Sequence, residues 1–194
     1  MIAGHFGLAV VVKSRERSVP LWALMLATAF LDVVFVPLYL AGIERIIPVP
    51  GTHGGYGDGV IHADYTHSLV GAVALAAAFG LVAAIPWGRR AGAVLGAVVF
   101  SHWLLDLVVH RMDLAILPGG AGGLPRLGFG LWEIPVAAAA VELALVAAGA
   151  YLYWRSALRT TQEPGRTATS GRAHVVAACL LLAGVVTLAL DVTS

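Results

Sequence analysis

The sequence is poor in charge and nearly devoid of cysteine. Only 12% of its 194 residues are Asp, Glu, Lys or Arg, against about 25% in soluble domains, so an ordinary soluble enzyme does not fit. The single cysteine, Cys179, cannot form an internal disulfide, and the lack of paired cysteines removes thiolate metal sites and redox motifs. A net charge of +1 gives no support to a nucleic-acid role. There is no nucleophile-elbow motif, no H-E-x-x-H zinc-protease motif and no internal repeat. Basic residues are missing from all the long apolar stretches, so nothing on the chain neutralises an acid placed there by simple pairing.

What is abundant is Ala, Val and Leu: the chain is 59% hydrophobic, with a mean hydropathy of +0.87. Stretches of roughly 20 apolar residues, enough to cross some 30 Å of hydrocarbon, run approximately over 20–41, 67–87, 91–110 and 131–154, with a fifth over 173–191. Ile2 to Val12 is about half a span, and its basic residues, Lys13, Arg15 and Arg17, follow the apolar run instead of preceding it, so it reads as a retained half-helix and not a signal peptide. The expected fold is all-α: a polytopic transmembrane helix bundle of five spans plus an N-terminal half-helix. Residues 1–154 form the membrane-embedded core, 155–172 a flexible linker rich in Ser, Thr, Gly and Pro, and 173–194 an additional C-terminal transmembrane helix.

Nine of the twelve basic residues fall on one side of these spans, in the 13–17, 89–90 and 155–172 segments. The positive-inside bias makes that side cytoplasmic and leaves the 41–66 and 111–130 loops outside. Trp22, Trp87, Trp132, Tyr151, Tyr153 and Trp154 stand near span ends, at headgroup level. The Gly-rich run Pro118 to Gly123 lacks the spacing and the preceding strand of a phosphate loop.

The informative residues are the ionisable ones inside the spans, since an Asp at a helix centre costs roughly 2.5–3.5 kcal/mol. His102, Asp106 and His110 are spaced i, i+4, i+8 and advance only about 40° per step, so they form one polar stripe. Imidazole and carboxylate are ordinary zinc ligands, but His102 and His110 lie about 12 Å apart along the axis, so further ligands must come from other helices. Asp32 and His67 fall in the same outer half as the stripe. His5 falls nearer the cytoplasmic side unless the half-helix tilts, and Glu142, near the middle of its span, could be a ligand, a general base or a supporting partner. His53, Asp58, His62 and Asp64 belong to a loop that could fold over the site, whereas Arg111 and Asp113 read as a solvated surface pair. A proton relay along the same Asp and His residues is the competing reading, because such chains also serve pumps and transporters. Ser68 and Ser101 adjoin His67 and His102 in sequence, yet neighbours on a helix point about 100° apart, so neither pair is a nucleophile with its base.

In order along the chain, Gly4-His5-Phe6, Leu31-Asp32, Thr66-His67-Ser68, Ser101-His102-Trp103-Leu104-Leu105-Asp106, His110-Arg111 and Gly130-Leu131-Trp132 resemble the YdjM-like family of bacterial inner-membrane proteins, described as metal-dependent hydrolases. The resemblance covers roughly residues 1–154, and departs from the family pattern at Ala63-Asp64-Tyr65, where many relatives carry His-Arg-Gly. It implies a small helical inner-membrane protein whose His/Asp metal site is similar in ligand type to that of zinc-dependent phospholipases.

The expectation is therefore one or two divalent ions, Zn²⁺ foremost, held by Asp32, His67, His102, Asp106 and either His110 or His5, with Asp106 and Glu142 as the catalytic carboxylates. The substrate would be an ester or phosphoester of a membrane lipid or envelope metabolite near the outer face. The alternative is a non-enzymatic protein, a proton-coupled carrier or an assembly factor, using the stripe for transport or packing.

Overall fold

The small, apolar N-terminal segment forms α1 (Ile2–Arg15), and this short helix is the centre of the molecule, in contact with α2 (Leu21–Thr28), α5 (Pro135–Thr161) and α6 (Ser170–Thr193). The computed structural model describes residues 1–49, 56, 58–161 and 170–193. At 14 residues α1 reaches only about 21 Å, short of a bilayer crossing. The first N–H groups of a helix have no partner within it, and an acid suits the positive end of the helix dipole. Here Ile2 N and Ala3 N donate to Asp191 Oδ2 at 2.9 and 3.3 Å, and Gly4 N donates to Glu142 Oε2 at 2.9 Å. Two acids on two later helices thus cap the start of the half-helix.

Glycine lets α1 lie close against α5. A Cβ on Gly7 would sit 2.7 Å from the backbone carbonyl carbon of Leu145, and one on Gly149 would sit 2.5 Å from the carbonyl oxygen of Gly7. Neither backbone can yield cheaply. Gly7→Val is therefore expected to lower stability by about 1–3 kcal/mol through overpacking, read as a lower melting temperature in detergent. Gly171→Ala, where an added Cβ meets nothing within 4 Å, serves as the neutral control.

The first expected span is broken. Helices α2 and α3 (Phe30–Leu40) meet at Ala29 with a bend of 48°. The expected spans 67–87 and 91–110 belong to α4 (Leu69–Val109), which contains one non-helical residue, Gly88, at φ 83° and ψ 165°. The chain reverses there: a Cβ on Gly80 would lie 2.9 Å from Gly92 O, and one on Gly96 would lie 2.9 Å from Ala76 O, whereas 12 or 20 residues of straight helix would separate such pairs by about 18 or 30 Å. Small residues along this seam let the two arms touch backbone to backbone.

Among the described residues three helices are long and apolar enough to cross a membrane, or four if the bent pair counts as one, with the two arms of α4 counted as a single helix. Only 17%, 28% and 11% of their apolar windows is buried inside the molecule, so most of that apolar surface faces outward and needs apolar surroundings. Helix α5 runs to Thr161 and α6 starts at Ser170, so of the expected linker only 162–169 lies outside the described residues. An antiparallel ribbon, β1 (Arg45–Pro48) with β2 (Gly59–His62), interrupts the helical pattern, pairing Arg45 with His62 and Pro48 with Gly59. Pro118 to Gly123 makes tight turns in which Gly119, Gly120 and Gly122 have positive φ, and Gly119 N donates to Asp64 O.

Candidate metal centre

Four segments converge on Asp106. It lies on the second arm of α4, one turn after His102, and the i, i+4 spacing stacks the two on one face. His102 Nε2 is 3.0 Å from Asp106 Oδ2, and His5 Nε2 from α1 is 3.1 Å from Asp106 Oδ1. His67, just before α4, places Nε2 3.2 Å from His102 Nε2 and 3.6 Å from Asp106 Oδ2. Asp32, in the first turn of α3, brings Oδ1 to 3.5 Å from His67 Nε2 and 3.6 Å from His102 Nε2. Among the described residues two sets of three hold ligand atoms close enough for one ion, namely His5, His102 and Asp106, and Asp32, His67 and His102.

The other ring nitrogens fix the protons. His102 Nδ1 is 2.7 Å from the carbonyl oxygen of Thr28, which only accepts, so Nδ1 carries a hydrogen and, in the neutral ring, the lone pair falls on Nε2. That carbonyl belongs to the last turn of α2, where helical carbonyls lose their regular partners. His67 Nδ1 is 2.8 Å from Thr66 Oγ1, whose own proton goes to the buried Glu44 carboxylate at 2.9–3.0 Å. The hydroxyl oxygen therefore accepts from Nδ1, and in the neutral ring the lone pair of His67 likewise falls on Nε2. His110 Nδ1 is held at 2.9 Å by Asp113 Oδ1, which turns its Nε2 towards Asp106 Oδ2, 3.9 Å away.

The result is a knot of acceptors facing one another inside the protein. Two imidazole lone pairs 3.2 Å apart, with carboxylate oxygens at 3.0–3.6 Å, repel unless a cation or protons lie between them. Ligands at about 2.0–2.1 Å from a tetrahedral ion stand about 3.3–3.4 Å from each other, close to these separations. Two imidazoles and two carboxylates suit a divalent metal ion, and Thr28 O and the Thr66–Glu44 pair stand where the outer partners of such ligands stand. No protein family, curated protein or solved structure matches the chain.

Access is uneven. The side chains of His67, His102 and Asp106 are buried, whereas that of Asp32 is 45% exposed, so the cluster opens on the Asp32 side, beside Phe35. His5 stands at the depth of the other ligands, not nearer the basic end: its ring stacks on that of His102 at 3.9 Å and 4°. The cap on its helix draws α1 that far in. Glu142 is outside both ligand sets, with one oxygen on Gly4 N and the other on the Tyr56 hydroxyl.

Asp113 is buried, not solvated: it holds His110 and accepts from Ile61 N at 3.0 Å. Asp64 pairs with Arg126, whose hydrogen bonds hold its carboxyl below the usual range, and neither it, Asp58 nor His62 enters the ligand sets. His53 lies outside the described residues. Ser68 caps α4 through Gly71 N, and Ser101 donates to Val98 O, so both hydroxyls serve the helix backbone.

Proposed function

We propose that this chain is an integral membrane metal-dependent hydrolase that cleaves an ester or phosphoester of a lipid or envelope metabolite. The bent α2–α3 pair, the two arms of α4, and α5 and α6 would make five crossings, with the Lys13, Arg89, Arg90 and Arg172 end in the cytoplasm of a bacterial inner membrane. The motif order shared with the YdjM-like family points the same way. The observation that carries the reading is the set of imidazole nitrogens and carboxylate oxygens turned on one another around Asp106.

Asp32, His67, His102 and Asp106 would hold the ion, with His5 supporting Asp106 through Oδ1. When bound, a divalent ion supplies the charge that polarises the scissile oxygen and brings the acidity of water towards pH 7. His110 is the better-placed proton acceptor: its Nε2 is free and faces Asp106, while Asp113 fixes its tautomer and would stabilise the imidazolium. Glu142, occupied by Gly4 N and Tyr56, is assigned to holding α1 in place. A substrate would enter past Asp32, within reach of a lipid headgroup.

Release of label from a phospholipid in mixed micelles tests this. Turnover is expected to fall roughly tenfold or more on chelation and to return with Zn²⁺. Protein that is purified without metal and gains no turnover from added divalent ions would instead hold protons between His67 and His102, as a carrier does.

A further inference from the structure

The cluster around Asp106 has a definite depth along α4. The helix reverses at Gly88, beside Trp87, whose ring meets that of Trp22 edge to face at 5.6 Å, and such rings settle at the membrane boundary. From Gly88, His102 and Asp106 lie about 21 and 27 Å along the second arm, within a hydrocarbon layer of about 30 Å and close to its other edge. In a bilayer that level belongs to the esters that join acyl chains to their alcohol. Phosphates stand farther out, in the headgroup layer.

The seam between the bent pair and the first arm of α4 is graded in the same sense. An apolar groove of about 360 Å³ runs along it, with Trp22, Leu26, Phe79, Val82, Ile85 and Trp87 in its walls. Trp22, Leu26, Val82 and Ile85 are exposed, so the groove opens sideways, towards apolar surroundings. Phe30 packs on Phe79 with ring centres 4.7 Å apart and carries the apolar seam up to Asp32, where the cluster opens. Past the cluster the chain turns polar: Arg45 pairs with His62 across the ribbon, and Arg126 holds Asp64 at 2.6 and 2.9 Å. Apolar groove, ligand atoms and charged ribbon thus follow one another in the order of acyl chain, ester and headgroup.

We infer that the substrate is an acyl lipid, held with one acyl chain in the groove between α2 and the first arm of α4 and its carboxylic ester beside Asp32. This rests on the hydrolase reading and narrows it from esters and phosphoesters to carboxylic esters. In the reaction the oxygen of water bonds to the acyl carbon and the acyl C–O bond breaks. The departing alcohol oxygen takes one proton of the water, and the fatty acid releases the other to solvent. The groove, at the low end of ligand-pocket volumes, has room for a single chain, and a hydrocarbon asks for no polar partner along its walls.

Product analysis of the full chain supplied with Zn²⁺, in micelles of dipalmitoyl phosphatidylglycerol made up in heavy-oxygen water, tests it. The expected products are palmitate carrying the heavy oxygen and lysophosphatidylglycerol. Val82→Trp, which fills the groove from its exposed wall, is expected to raise KM for the palmitoyl lipid about tenfold more than for the dibutyryl one, because the lost contact is with the chain and not with the reacting bond. A photoactivatable group at the end of the palmitoyl chain is expected to label α2 and the first arm of α4 in the wild type, a readout that stands even where Val82→Trp does not fold. Diacylglycerol and a phosphorylated headgroup as the products overturn this inference and leave the hydrolase standing. Cleavage of neither bond overturns the hydrolase reading as well. Equal changes in KM for both chain lengths, or label confined to other helices, overturn the placing of the chain.

Discussion

The wild type is expected to purify with about one metal ion per chain and Asp106→Ala and His102→Ala without it, with affinity down by roughly 100-fold or more, since losing a ligand exceeds the 10–100-fold cost of losing its outer partner. Asp106 is the common neighbour: His5, His67, His102 and His110 each place Nε2 within 3.9 Å of its carboxylate. Removing it takes away the anion that balances the ion and leaves four rings without a shared partner. Elemental analysis of matched preparations reads the result, and lipid turnover should vanish in parallel. Glu142→Gln is the comparison that gives the test its force. It lies outside the ligand sets, so its metal content should match the wild type even if its melting temperature drops through the weakened cap on α1. Equal, substoichiometric metal in all these proteins would end the metal-centre reading.

Glu44→Ala should lower metal affinity by roughly 10–100-fold without touching a ligand. Glu44 is fully buried and accepts from Tyr65 N, Thr66 N and Thr66 Oγ1 at 2.8–3.0 Å. Its carboxylate directs the Thr66 proton away from His67 and thereby selects the His67 tautomer with a bare Nε2. Without it the Thr66 hydroxyl is free to donate to Nδ1, which moves the ring proton to Nε2 and blocks the ligand atom. Two backbone N–H groups also lose their acceptor, at about 1–3 kcal/mol each if they stay buried and dry. Glu44→Gln keeps an acceptor for those N–H groups and should fall between the two. A metal titration of the three proteins separates the tautomer effect from the loss of stability.

Much of this was legible in the sequence because an ionisable residue in an apolar run is costly and must be answered by another. Asp32, His67, His102 and Asp106 stand out for that reason, and they meet. Glu44 and Asp113 were hidden because each adjoins a span end and has an arginine close by, Arg45 and Arg111, so that each resembles an ordinary surface acid. The Thr28 carbonyl could not be found by side-chain type at all. It depends on a helix break at Ala29, where no Pro or Gly marks the change of direction. The depth of His5 was likewise unreadable, since it follows from Asp191 and Glu142 gripping the start of α1 from almost the far end of the chain.

That grip makes the cluster depend on a distant helix. Asp191 on α6 receives Ile2 and Ala3, and His5 rides on the same turn, so a shift of α6 is passed on to a ring beside Asp106.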